Sequence, residues 1–360
     1  MQIEVFEAIR DCEKWRHILG FFPEELRDVY FWPEYVALHC FKRDSSALMF
    51  MCKYGDKLWA YPFLLQPITH IGGKALENVW FDIETAYGYG GPLANTEDSN
   101  FLSAANQAFS EWCQKQNVVA EFVRLHPLLH NECWIDPHME LVHERETVSL
   151  RLDSVTGDKV TFNATTCNML KRAERLEIRV NVFPARNHFA QFVRLYLNAM
   201  VRIKADKYYY FSNEYFHGLA QLVQENGWLI AAEQDGIWIA AAVFLRGPYW
   251  IHYHLSALDT NKRIPGATNT ILYTAAQMGC GIGLERLHLG GGRTSNPDDS
   301  LLRFKKTMAT DSHSFYIGKR THKSDIYNFL KKTWEQTYPH LIPTYGKRLM
   351  CYRYGSEKEL

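Results

Sequence analysis

The 360-residue sequence lacks a net charge, closely spaced cysteines and long apolar runs. Forty Lys and Arg balance forty Asp and Glu, so no global basic field exists to hold a nucleic acid backbone, and only a local basic groove could serve one. The cysteines (Cys12, Cys40, Cys52, Cys113, Cys133, Cys167, Cys280 and Cys351) form no C-x-x-C pair. That argues against zinc sites and a disulfide framework and for reduced, mostly buried thiols. No stretch approaches the ~18 apolar residues of a membrane helix, and Met1-Gln2-Ile3-Glu4-Val5-Phe6-Glu7 has neither the basic start nor the apolar core of a secretory signal. The expectation is a cytoplasmic protein without integral membrane association. With only 13 Pro and 22 Gly, fibrous and low-complexity classes are excluded as well.

What is present is ordinary globular composition, 47% hydrophobic and 22% charged, enough to bury a sizeable core. At roughly 150 residues per domain the length predicts two domains or one large one. Aromatic residues make up 14%, which suits either clefts that grip polar ligands or a large core.

Turn signals and apolar periodicity predict alternating strands and helices. Ser46 to Tyr54 and Lys57 to Ile68 flank Gly55-Asp56 and read as a β-hairpin, preceded by a helix from Pro33 to His39. A strand over Val79 to Glu84 runs into the turn Tyr87-Gly88-Tyr89-Gly90-Gly91-Pro92. A helix follows over Asn100 to Gln116, then a strand from Ala120 to Leu125 ending at His126-Pro127, then a strand from Glu140 to Leu152. Beyond a boundary placed at 155/156 come a basic amphipathic helix (Ala164 to Leu176), a strand (Glu177 to Val182) and two helices (Arg186 to Lys204, Asn213 to Asn226). Strands over Trp228 to Gln234 and Ile237 to Leu245 are joined by Asp235-Gly236, a hairpin turn. Then come a strand (Tyr249 to Leu258), a helix (Ala267 to Met278) and a strand (Glu285 to Leu289). The tail is expected to hold a helix near Ser300 to Met308, a strand near Ser314 to Gly318, a helix near Ser324 to Thr337 and a last strand near Arg348 to Tyr354. The order of elements repeats, and both halves contain a strand with Arg-Leu-His (Arg124-Leu125-His126, Arg286-Leu287-His288), which suggests internal duplication. The expected domains are residues 1–155, residues 156–345 and a C-terminal strand and tail, 346–360.

Two segments carry the chemistry. Arg263-Ile264-Pro265-Gly266-Ala267-Thr268-Asn269 joins a strand to a helix, where free N–H groups and the positive end of a helix dipole form a phosphate site. The alternative is a Pro-Gly turn that starts an ordinary helix. His288-Leu289-Gly290-Gly291-Gly292-Arg293 follows a strand and precedes Ser300-Leu301-Leu302-Arg303-Phe304-Lys305-Lys306. Its glycines let a ligand or a helix end sit against bare backbone, and without Gly-Lys-Ser/Thr it is not a Walker loop.

The hairpin, third strand, Arg-x-x-Gly-x loop, helix and strand resemble the acyl-CoA core of GNAT acetyltransferases, with Thr268 standing where that family has Gly or Ala. The Phe304-Lys305 pair and the two-part layout resemble the Fem family of peptidoglycan-bridge aminoacyl transferases, and from about Val29 to Lys319 the chain is similar to FemAB-related acyltransferases. Tyr61-Pro62-Phe63, Tyr87 to Pro92, Glu121 to Pro127, His252-Tyr253-His254-Leu255-Ser256, the His-Leu-Gly-Gly-Gly run and Arg303-Phe304-Lys305 carry that likeness. It implies an α/β (α+β) protein of two tandem GNAT-like domains, each a mixed, mostly antiparallel sheet flanked by helices. It implies an N-acyltransferase whose co-substrate is acyl-CoA, or alternatively aminoacyl-tRNA, and whose acceptor is a small-molecule or glycan amine of the cell envelope or of a polysaccharide precursor. A non-catalytic glycan- or protein-binding module is the reading from another class.

Lys305 takes, by resemblance, the place at the reaction centre, where an ammonium in a dry cleft steadies a tetrahedral oxyanion. His126 stands where Fem enzymes have Asp before Pro, and it and His288 are candidate bases. Arg263, Gly266, Ala267, Thr268 and Asn269 are the expected donor-binding residues. Tyr87, Tyr89, Arg124, Arg202, His252, His254 and Phe304 are the expected substrate-binding residues. Alternation puts Arg124 and His126 on one strand face, and His252, His254 and Ser256 on another. No metal is expected, since the two histidines lack a third ligand. Asn168, Lys171, Arg172 and Arg175 form a basic helix face, either solvated or able to meet acceptor phosphates or tRNA.

Overall fold

A computed structural model of the chain describes residues 1–40, 44–155, 162–259, 261–262 and 264–355. Its strands are β1 (Gln2–Glu7), β2 (Ser46–Tyr54), β3 (Lys57–Ile71), β4 (Lys74–Glu84), β5 (Leu93–Ala94), β6 (Val118–Arg124), β7 (Glu140–Arg151), β8 (Arg179–Phe183), β9 (Gly227–Gln234), β10 (Ile237–Arg246), β11 (Trp250–Leu258), β12 (Arg286–Gly291) and β13 (Asp311–Thr321). The helices are α1 (Cys12–Leu19), α2 (Pro33–Ala37), α3 (Ser99–Lys115), α4 (Ala164–Arg175), α5 (Ala185–Arg202), α6 (Asn213–Asn226), α7 (Ala267–Gly281), α8 (Ser300–Lys306), α9 (Ser324–Thr337) and α10 (Ile342–Tyr345). Among the described residues no helix is long and apolar enough to cross a membrane.

The chain divides into two compact units. Met1–Leu26, Tyr30–His143 and Tyr316–Leu360 form the first, and Arg27–Val29 with Glu144–Phe315 the second. The first has strand order β1-β2-β3-β4-β6-β13 and the second β8-β9-β10-β11-β12-β7. Each is a four-strand antiparallel meander, then a parallel pair (β4 with β6, β11 with β12), then an antiparallel sixth strand. The mixed, mostly antiparallel α/β architecture expected from the sequence is therefore present twice.

The sixth strands are exchanged along the chain. β7 follows β6 in sequence but pairs with β12, and β13 follows β12 but pairs with β6. The chain therefore divides at 143/144 and 315/316, where the sequence reading put 155/156 and 345/346. The tail belongs to the first unit for an energetic reason: Leu330 and Trp334 of α9 pack with Met350, Cys351 and Tyr352 against Ile68, Val119 and Ala120. The last strand expected near Arg348 to Tyr354 is a 3-10 turn at Cys351–Arg353 instead, held because Arg353 Nε lies 2.6 Å and the Tyr352 hydroxyl 2.8 Å from the carboxylate of fully buried Asp82. β1 and α1, with Trp15 fully buried, were not anticipated. The two Arg-Leu-His triplets are not equivalent, since Arg124 ends β6 whereas Arg286 begins β12.

The core of the first unit lies between its sheet and Phe101, Ala105, Phe109 and Cys113 of α3. That of the second lies between its sheet and Ile271, Leu272, Ala275 and Ala276 of α7, with Leu302 of α8. α5 and α6 pack against β9 and β10 of the second unit.

Candidate functional site

The second unit has an opening in its sheet. The parallel ladder pairs Trp250 with Arg286, Ile251 with Leu287 and His252 with His288, and stops there. β11 then runs on to Leu258 alongside β10, and β12 runs on to Gly291 alongside β7, with no further pairing to each other among the described residues. At its far end β11 leads to α7, whose N-cap Gly266 has φ +91° and no side-chain cap among the described residues. A cavity of about 500 Å³ borders this end, lined by Leu258, Ile264, Pro265, Arg293, Ser300, Leu301 and Phe304. Both segments singled out in the sequence thus meet at one cavity.

The geometry corrects the reason for the glycines. A Cβ on Gly266 would lie 2.4 Å from the Met169 carbonyl oxygen and 2.9 Å from the Ala173 methyl, so this glycine admits α4 rather than an anion. A Cβ on Gly292 would lie 2.6 Å from Asp299 Oδ1, and Asp299 caps α8 through Leu301 N (2.9 Å) and Leu302 N (3.1 Å). The glycine run therefore accommodates a helix end. Ala267 and Asn269 are buried, Asn269 Nδ2 meeting Met308 Sδ at 3.4 Å, and Thr268 is half-buried. Of the cations among the described residues, Arg293 is the one on the cavity lining. Arg263 lies outside the described residues.

Lys305 is the one buried lysine among the described residues. Its Nζ donates to the Gly291 carbonyl at 2.8 Å and lies 5.7 Å from the centre of the Tyr253 ring. Burial pulls its pKa down to about 7; Asp299 opposes the fall and Arg145 adds to it. Asp299 stays near 2, since backbone N–H groups of Leu302, Arg293 and Leu301 outweigh its desolvation.

His288 does not share Lys305's face of the sheet. Leu287 and Leu289 point into the α7 core with Ile251 and Tyr253, so His288 and His252 project from the opposite face. There His252 Nε2 lies 2.9 Å from Asp28 Oδ2, and His252 Nδ1 lies 3.3 Å from His288 Nδ1, with all three residues at most 2% exposed. His252 thus bridges Asp28 and His288 through its two ring nitrogens. Asp28 was missed in the sequence reading because it follows Glu24, Glu25 and Arg27 and so reads as one more charge of a solvated turn before the apolar run Val29-Tyr30-Phe31-Trp32.

The sequence is matched by no family model and no curated protein. Solved structures do match. FemX is similar with a TM-score of 0.65 at 11% identity, over 91% of this chain and 99% of its own. The C-terminal domain of a putative lysylphosphatidylglycerol synthetase from Agrobacterium fabrum gives 0.56 at 13%, over 93% and 97%. A tandem GNAT protein from the clavulanic acid biosynthesis pathway gives 0.50 at 8%, over 88% and 98%. The chain has the tandem GNAT fold.

The other expected residues of this tandem GNAT chain lie apart from the cavity's lining. His254 shares no chain with His252: a register shift opposite Val243 and Phe244 turns it to the Tyr215 hydroxyl of α6, 2.9 Å away, and Ser256 hydrogen-bonds Tyr253. Arg202 is exposed and hydrogen-bonds the Asn261 side chain. Asn168, Lys171, Arg172 and Arg175 are exposed, a solvated face of α4. In the first GNAT unit, Arg124 is held by Glu84 (2.7 Å) and the Thr85 carbonyl (3.2 Å). His126 is fully buried, accepts from Leu128 N at 3.3 Å on Nδ1, and has the rings of Tyr30, Phe31 and Tyr89 within 6.2 Å. Tyr87 accepts the Tyr35 hydroxyl on its carbonyl at 2.5 Å.

Proposed function

We propose that the second unit is the donor lobe of an N-acyltransferase that moves an acyl group from acyl-CoA to an amine, with the acceptor on a cell-envelope or polysaccharide precursor. The observation that carries this reading is the parallel ladder that stops at His252 and His288, while β11 runs on unpaired with β12 toward α7, whose start has no side-chain cap among the described residues. First-turn N–H groups of α7 hold the donor phosphate, with Arg293 on the cavity wall as the second positive group. The gap between β11 and β12 gives the thioester a way from the cavity toward the histidine pair. As the amine nitrogen bonds to the acyl carbon, its proton passes to His288. Lys305 steadies the oxyanion from its dry position on the far arm of the gap. The C–S bond then breaks and the thiolate leaves, to be protonated as free thiol. Similarity to FemX supports a transferase of this general kind through the fold alone.

The test is a panel of CoA thioesters against amino sugars and amino-acid amides, with product mass as readout, beside the same acceptors with charged tRNA. Acyl transfer with CoA thioesters, lost in Lys305→Ala, is the expected result. Transfer with charged tRNA only would reassign the donor. Transfer with neither, together with glycan or protein binding, would make the chain a recognition module.

A further inference from the structure

We infer that the end of α5 and the turn after it form a docking surface for an anionic lipid bilayer. This surface stands independently of the acyl-transfer reading. Eighteen large hydrophobic side chains are exposed among the described residues, and four of them, Val201 (65%), Ile203 (44%), Tyr209 (38%) and Tyr210 (37%), fall within ten residues. An even spread over the chain would put about half of one there, so this cluster is not the scatter every soluble surface shows. The same ten residues hold Arg202, Lys204 and Lys207, all exposed, against one acid, Asp206.

That acid is already engaged, accepting from Tyr208 N at 3.0 Å at the start of the turn Lys207–Tyr209. The segment is shaped rather than loose. Lys204 has φ +49°, the C-terminal reversal of α5 is closed by Ala205 N to Met200 O (3.0 Å), and the Tyr196 hydroxyl donates to the Tyr209 carbonyl at 2.9 Å. Aliphatic tips and tyrosine rings interleaved with cations match the chemistry of the bilayer interface: the apolar atoms enter the headgroup boundary while the ammonium groups meet lipid phosphate. A protein partner would satisfy the apolar part equally, but the three-to-one excess of cations over acid selects an anionic surface.

The experiment is flotation of the full chain with vesicles of phosphatidylcholine alone or of phosphatidylglycerol and phosphatidylcholine at equal parts, at low and high salt. Binding to the phosphatidylglycerol vesicles, weakened by salt, is expected, with little binding to phosphatidylcholine alone. Lys204→Glu with Lys207→Glu should lower that binding about tenfold or more, and Val201→Ser with Ile203→Ser should lower it while leaving the melting temperature unchanged, since all four side chains are exposed. No binding by the unaltered chain, equal binding to both vesicles, or full binding by both double variants would overturn the proposal. So would a concentration-dependent dimer, seen by sedimentation velocity and abolished by Val201→Ser with Ile203→Ser, because the patch would then belong to a second copy.

Discussion

The two units share one strand topology but finish their parallel ladders differently. In the first, β4 and β6 stay joined past their last register pair: Thr85 N donates to the Phe122 carbonyl (3.2 Å), Arg124 N donates to Thr85 Oγ1 (2.9 Å), Gly90 bridges to Leu125, and Arg124 pairs with Glu84. The following helix, α3, is closed by Asp98, which accepts from Asn100 N and Phe101 N and also pairs with Lys57. In the second unit the ladder stops at His252 and His288, and α7 starts at a glycine. One helix start is capped by a carboxylate, and the other has no side-chain cap among the described residues. The difference teaches that one strand topology, used twice, can end its parallel ladder in two ways, one continued by side-chain and backbone bonds and one that stops.

The largest effect expected from breaking this contrast lies in the closed unit. Arg353→Ala strips the guanidinium from fully buried Asp82 and should cost about 3–5 kcal/mol of stability, as loss of one partner of a buried pair does. Urea denaturation checks it. The counterpart in the open unit is Lys305→Ala, expected to lower acyl transfer by about 100- to 1000-fold in steady-state assays. Lys305 also leaves a mark on stability. Its pKa is about 7 in the folded chain against an ordinary 10.5, so between those values the unfolded chain binds the extra proton and native stability rises with pH. The stability difference between the unaltered chain and Lys305→Met should therefore shift in favour of the unaltered chain from pH about 7 to about 9.5, measured by denaturation at both.

Local parts of both units were legible beforehand. Asp235-Gly236 and Gly55-Asp56 announced their hairpins because turn chemistry is local; Asp235 and Gly236 both have positive φ, as such a turn needs. A motif on one short helix singled out Phe304, which lines the cavity, and Lys305, which is buried. What could not be read was pairing at long range. Asp28 meets His252 across 224 residues, and β7 and β13 pair with strands of the other repeat, so neither leaves a periodic trace nearby. The register shift in β11 broke the alternation that had placed Ser256 with His252. The tail's strand failed because burial of Cys351 and Tyr352 and the bonds to Asp82 outweighed local strand preference.

Smaller substitutions sharpen the comparison at the two helix ends. Thr268→Asp would place in the first turn of α7 the kind of charge that Asp98 supplies to α3. It should weaken acetyl-CoA binding about tenfold or more while leaving the fold at least as stable, since a carboxylate suits a helix N-terminus. Asp98→Ala should cost about 1 kcal/mol through loss of the cap, read by thermal melting.

The most direct measurement is a calorimetric titration of acetyl-CoA into the unaltered chain and into Thr268→Asp. The account predicts one site per chain in the former and a strongly weakened site in the latter. No binding to the unaltered chain, or undiminished binding to Thr268→Asp, would contradict the assignment of the open helix end to the donor.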